Sequence, residues 1–187
     1  MERARGQVGL VNKCYALKVS VRPGNPGDAD RLAVLGAQVW MHTYATQGVT
    51  QVIAEYVVRE FSTTALAAIL ASSSFKHVAV AEIGASIVGY AVLAFSTPCP
   101  SDPKVQVELV TLHVQEHFSR QGVGSALLHY AQRLAQERAS RLWLMVNAKN
   151  VPAIAFYEKR GYTKVGTAYF ELGGKKHENH VLTSRGA

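Results

Sequence analysis

Cysteine is almost absent. Cys14 and Cys99 are the only two in 187 residues. They have no paired spacing and no nearby ligand cluster, which points to a reducing, cytoplasmic compartment and to no metal. His177 and His180 could be read as a metal pair, but residues solvated on a strand and loop explain them more simply. Long apolar runs are missing too. Nothing approaches the roughly 18 residues of a membrane span, so no membrane partner is expected. Charge is modest at 18% of residues, and acidic residues are the scarcer sign, 13 against 20 basic, for a net +7. The basic residues are scattered along the chain and form no stripe interleaved with aromatics, so nucleic acid is not the expected partner. There is no internal repeat and no low-complexity block. What is present is an ordinary globular composition, 48% apolar, in a chain long enough to bury roughly 70% of its unfolded surface as one domain.

The chain is organised around Gln106 to Arg138. Val107, Leu109, Val110, Leu112 and Val114 make an aliphatic run of strand length. A polar connection, Gln115 to Gln121, follows. Gly122-Val123-Gly124-Ser125 then opens a helix whose Val123, Ala126, Leu127, Tyr130, Leu134 and Ala135 fall on one face. The first N–H groups of a helix lack internal partners, and the macrodipole favours negative charge there. With glycines to admit a ligand, such a turn can seat a pyrophosphate. It can equally be an ordinary strand-to-helix turn. It is neither a P-loop, since Ser125-Ala126 replaces Lys-Ser/Thr, nor a dinucleotide fingerprint, since Leu127 stands where a third small residue is needed.

This stretch resembles the acetyl-CoA segment of the GNAT superfamily of N-acetyltransferases, an E-L-x-x-L-x-V strand followed by Arg/Gln-x-x-Gly-x-Gly/Ala. Glu108, Leu109, Leu112 and Val114 match the strand, and Gly122 and Gly124 match the glycines. Ser119 departs from the pattern's Arg or Gln, and Arg120 is the neighbouring candidate for the missing cation. A second stretch, Asn150 to Tyr162, resembles the family's N-x-x-A-x-x-F-Y-x-K-x-G-F element. The resemblance runs from about Val19 onward. It makes 19–187 the acetyltransferase domain, with 1–18 a flexible, basic N-terminal extension. Glu2 and the scarcity of serine there argue against a transit peptide.

Taken in order, the chain predicts a strand at Val19 to Arg22 and punctuation at Pro23 to Gly27. A helix capped by Asp28 or Asp30 follows, burying Leu32, Leu35, Val39 and Trp40, and then a polar connection from Met41 to Thr50. Helices over Gln51 to Glu60 and from Ser62 or Thr63 through Leu70 come next. Val78 to Glu82 and Ile87 to Phe95 read as a hairpin around Gly84-Ala85. Arg141 to Val146, apolar on both faces, reads as a central strand. Asn150 caps a helix stopped by Gly161, and a last hairpin turns at Gly173-Gly174. The fold class is α/β (α+β): a mixed, mostly antiparallel sheet of six to seven strands with helices on both faces. The resemblance adds a central strand pair that splays apart to admit the thioester.

The resemblance also implies the chemistry. Acetyl-CoA is the co-substrate, with no metal. Its contacts fall on Leu112, His113, Val114, Ser119, Arg120, Gln121, Gly122, Val123, Gly124, Ser125, Asn150 and Tyr157. Amides near Leu112 to Val114 could meet the oxyanion and the pantetheine arm. An acceptor amine with a pKa near 10.4 is neutral in about one molecule in 2,500 at pH 7, a cost of roughly 4.6 kcal/mol, so a base is needed. Glu108 stands at the family's position for one, or is a strand residue bridging to a cation. Tyr157 matches the general acid for the departing thiolate, or is a packed tyrosine. The acceptor is the open question. Trp40, Tyr44, Tyr56, Phe61, the Trp143 to Asn150 strand and the Gly166 to Gly173 hairpin resemble the spermidine/spermine branch. A polyamine would want carboxylates, and Glu55, Glu60, Glu108 and Glu171 are the candidates by region. A small-amine acetyltransferase, a protein or peptide amine acetyltransferase and a non-catalytic acyl-CoA-binding module all remain. A homodimer is compatible with the resemblance.

Overall fold

The structure is a computed structural model and describes residues 18–72 and 74–185. All of the expected extension except Lys18 therefore lies outside the described residues, Cys14 included.

Among the described residues seven strands form one sheet: β1 (Val19–Pro23), β2 (Lys76–Ile83), β3 (Ser86–Phe95), β4 (Val107–Val114), β5 (Leu142–Asn147), β6 (Tyr162–Leu172) and β7 (Lys175–Ser184), in the order β1-β2-β3-β4-β5-β7-β6. Every pairing is antiparallel except β4 with β5. Five α-helices among the described residues flank it: α1 (Ala29–Tyr44), α2 (Gln51–Glu60), α3 (Thr63–Ala71), α4 (Val123–Gln136) and α5 (Val151–Glu158). This is the predicted mixed, mostly antiparallel architecture.

Two cores sit on the two faces of the sheet. One packs α4 and α5 over Ala79, Ala81, Ala91, Leu93, Leu109 and Leu144. The other packs α1 and α3 over Val78, Val80, Tyr90 and Val92. On α4, Val123, Leu127 and Ala135 are buried as expected, while Ala126, Tyr130 and Leu134 are only partly so; Leu128 and Ala131 complete the buried stripe. The helix lies across several strands, so the face it hides is wider than a single 3.6-residue row.

Several expectations need correcting. The first long helix runs on to Tyr44 rather than yielding to a connection at Met41. Trp40 explains this: its ring is buried and packs at a tilt against Tyr44 and Tyr56, which keeps the last turn helical. Asp28 occupies the cap position of α1 but bonds no helix N–H with its side chain. Instead it completes a capping box with Asn25 and, although buried, is held by Arg22 and Arg31. β5 lies inside the sheet between β4 and β7, as its apolar sequence predicts, although Met145 on it is 43% exposed.

Candidate active site

The site is built where β4 and β5 part. Their parallel register holds for only two pairs, Val107↔Leu142 and Glu108↔Trp143. Beyond these, the backbone of β4 from Leu109 onward pairs with no strand on its β5 side among the described residues. β5 turns away to pair with β7, from Trp143↔Thr183 to Asn147↔Asn179. A bulge helps: Val92 pairs Thr111 and Leu93 pairs Leu109, leaving Val110 as the extra residue of β4. A bulge bends its strand and increases the local twist, which suits a strand that must leave its neighbour.

The bulge also decides which side chains face which way. Leu109, Leu112 and Val114 point to the core beneath α4 and α5. Glu108 and His113 fall on the opposite face, toward α1 and α3. His113 Nδ1 lies 3.2 Å from the Tyr90 hydroxyl, and its ring packs against Tyr90 and Phe61. Burial lowers its pKa to about 4, so the imidazole is neutral at pH 7. Glu108 is half-buried between Ala94 and Trp143 on the neighbouring strands. It makes no hydrogen bond or ion pair among the described residues. Burial raises its pKa, and the charge of Lys76 pulls it only partly back.

Tyr157 comes from the other face. Its ring is 7% exposed and packs against Phe156 and Tyr162. Burial, with smaller contributions from Tyr162 and Tyr44, holds its hydroxyl well above the usual phenol range. No fully buried side-chain nitrogen or oxygen among the described residues lacks a partner. The Tyr157 hydroxyl makes no hydrogen bond there, so its oxygen keeps some contact with solvent. Glu108 thus sits at the last β4–β5 pair before the strands part, on the opposite face of the sheet from Tyr157. They do not bond to each other.

The glycine turn follows β4. Gln115 to Phe118 make a short turn, and Gln121 donates to the His117 carbonyl at 2.7 Å. Arg120 and Gly122 take left-handed φ values of 62° and 88°. For Gly122 this costs little, and it leaves the N-terminus of α4 with no side-chain cap. Ser119, Arg120, Gln121 and Gly122 are exposed, Gly124 and Ser125 partly so, and Val123 is buried as an anchor. Asn150 caps α5 through Ala153 N at 3.2 Å. Gly161 ends that helix region with φ 82°, as its sequence position implied.

Three participants were not evident from sequence. Gly36 lets α1 sit close to the sheet: a Cβ there would lie 2.4 Å from the Tyr90 hydroxyl and 2.6 Å from Phe61. The Tyr90–His113 pair depends on antiparallel register and leaves no local pattern. Arg160 bonds the Phe156 carbonyl and also reaches Ser125 on α4. Its spacing from the glycine motif gave no hint of that contact. Arg120, the expected stand-in for the cation missing at Ser119, is exposed and makes no hydrogen bond among the described residues.

A sheet with one parallel pair parting over a glycine-led helix is the architecture of the N-acetyltransferases. Superposition bears this out. The PaiA N-acetyltransferase of Thermoplasma acidophilum, solved in complex with coenzyme A, matches with a TM-score of 0.74 over 90% of this chain and 99% of its own, at 17% identity. The ribosomal-protein-alanine N-acetyltransferase of Brucella melitensis matches at 0.63 over 88% and 98%, at 22% identity. The sequence narrows the class. The model of the acetyltransferase (GNAT) family matches residues 43–162. An uncharacterised N-acetyltransferase of Mycobacterium tuberculosis is 31% identical over 156 residues, 83% of this chain and 96% of that protein. The [ribosomal protein bS18]-alanine N-acetyltransferase of Escherichia coli is 38% identical over 60 residues, 32% of this chain and 40% of that one. The chain belongs to the GNAT family and is an acetyl-CoA-dependent acyltransferase, with acetyl-CoA as its co-substrate. Among the described residues no cluster of His, Cys, Asp and Glu could hold a metal ion, and no helix is long and apolar enough to cross a membrane.

Proposed function

We propose that this enzyme moves the acetyl group of acetyl-CoA to a small primary amine by direct attack, with Glu108 as base and Tyr157 as acid. The observation that carries this reading is the parting of β4 and β5 just beyond Glu108, an unpartnered half-buried carboxyl, with the buried phenol of Tyr157 on the other face of the sheet. A base must accept a proton that costs roughly 4.6 kcal/mol to remove at pH 7. Burial makes Glu108 a stronger base than a surface glutamate. A phenol kept protonated by burial is available to donate to the leaving thiolate. Amides of the β5-free edge between Leu112 and Val114 take the oxyanion and the pantetheine arm. Amides between Ser119 and Ser125 seat the diphosphate at the start of α4. Asn150 both caps α5 and contacts the pantetheine arm.

The acceptor face bears on a polyamine. Trp40, Tyr44, Tyr56, Phe61 and Phe170 form one aromatic run from α1 through α2 to β6. Of the carboxylates considered for a polycation, Glu60 pairs with Arg59 at 2.8 Å, Glu55 accepts from Gln51 at 2.8 Å, and Glu171 stands across from Lys176. Glu108 alone is half-buried and unengaged. That favours an amine with one charge to recognise over one with three. A second reading, a peptide N-terminus as acceptor, is supported by the similarity to the bS18-alanine enzyme. Thiol release from acetyl-CoA, followed across monoamines, polyamines and short peptides with free N-termini, tests these readings. Turnover with a monoamine at the highest kcat/KM supports the first, and turnover confined to peptides replaces it with the second.

A further inference from the structure

Arg160 does more than end its own helix. Its guanidinium carbon sits 3.7 Å above the Phe156 ring. Nη1 donates to the Phe156 carbonyl at 2.8 Å, and Nη2 donates to Ser125 Oγ at 2.5 Å. An exposed arginine is thus held at three points, one of them on another element. Such restraint costs side-chain entropy. No carboxylate within ion-pair reach among the described residues accounts for it. Five N–H donors make up a guanidinium, and two are engaged, so three are left in a fixed planar fork.

The place where that fork is held matters. Ser125 is the third residue of α4, directly after the glycine turn. Gly124 backs onto the same Phe156 ring, a Cβ there lying 3.4 Å from it. The first turn of α4 and the last turn of α5 therefore meet through Phe156 and Arg160. The pattern's usual cation is missing, since position 119 is serine.

We infer that Arg160 supplies that cation. It clamps the diphosphate of acetyl-CoA against the start of α4, with Ser125 as its strut and Phe156 as its platform. The inference rests on the reading that Ser119 to Ser125 seats the diphosphate. It gives a second helix a share in holding the cofactor, because planar, bidentate donors suit phosphate oxygens.

R160Q, checked for an unchanged melting temperature, tests it by calorimetry with three probes: CoA, 3′-dephospho-CoA and pantetheine. The expected result is about tenfold weaker binding of both phosphate-bearing probes, with pantetheine unaffected. KM for acetyl-CoA should rise by the same factor while kcat stays within about twofold. Equal affinity of R160Q and wild type for CoA overturns the role. So does an equal loss on pantetheine, which would make Arg160 structural. A loss on CoA alone overturns the assignment to the diphosphate, because it places the contact on the 3′-phosphate. If wild type itself fails to prefer CoA over pantetheine, the diphosphate seat falls and this inference falls with it.

Discussion

At the scale of single residues, Glu108 and Tyr157 separate by how much each step needs help. The amine carries the larger barrier, so E108Q should lower kcat/KM about 100- to 1,000-fold. The same variant has a signature in stability. Burial holds the Glu108 pKa above its ordinary 4.5. The folded state therefore keeps this proton to higher pH than the unfolded state does. The stability gained is full below pH 4.5 and is lost as pH rises through the folded-state pKa. At pH 7 the ionised group is a burden on the fold. E108Q should therefore melt higher than wild type at pH 7 and at the same temperature below pH 4, as scanning calorimetry at the two pH values would show. A lower melting temperature at pH 7 would mean that the carboxylate has a stabilising partner. The thiolate needs less help, since a thiol pKa near 8.5 already makes it a fair leaving group. Y157F should lose about ten- to a hundredfold in turnover and retain the rest. Undiminished turnover at saturating acetyl-CoA would remove the acid role.

Among the elements, legibility followed locality. The helix caps at Thr50, Ser62 and Asn150, the turn at Gly84-Ala85 and the stop at Gly161 are short-range chemistry, and the structure has them where turn and cap residues stand in the sequence. The C-terminal turn of α1 is not legible in sequence because its helical state is set by Trp40 packing against Tyr56 of α2, a tertiary contact. Gly36 was overlooked for the same reason. It reads as a weak point in a helix, whereas its use is the close approach of α1 to Tyr90 and Phe61. This yields a prediction that separates the two substrates. G36A must push α1 away from the sheet or displace Tyr90 and Phe61, at a cost of about 1–3 kcal/mol in denaturant unfolding. Phe61 belongs to the aromatic run and touches His113, so KM for the amine should rise several-fold. KM for acetyl-CoA should stay within about twofold, because α4, which the glycine turn opens, packs on the opposite face of the sheet from α1. A change confined to acetyl-CoA would place α1 on the cofactor side.

For the whole molecule, the sheet's strand content could be read from alternation and turns, but its parting could not. Val107, Leu109, Leu142 and Leu144 look alike as sequence; only the register shows that two pairs form between β4 and β5 before the strands separate. The family motifs carried that feature, and hydropathy did not. The same parting sets the kinetic order. If the acetyl group goes straight from thioester to amine, both substrates must occupy the gap together, and no residue need hold the acyl group between them. Cys99, the one thiol among the described residues, is 1% exposed and packs with Val105, Trp143 and Val181. A thiol so enclosed cannot meet a thioester without local opening of the loop that carries it. Initial velocities measured over a grid of acetyl-CoA and amine concentrations should therefore give intersecting double-reciprocal lines, and C99A should keep its kcat within about twofold. Parallel lines would require an acyl-enzyme, and if C99A also abolished turnover, Cys99 rather than Glu108 and Tyr157 would be the centre of the chemistry.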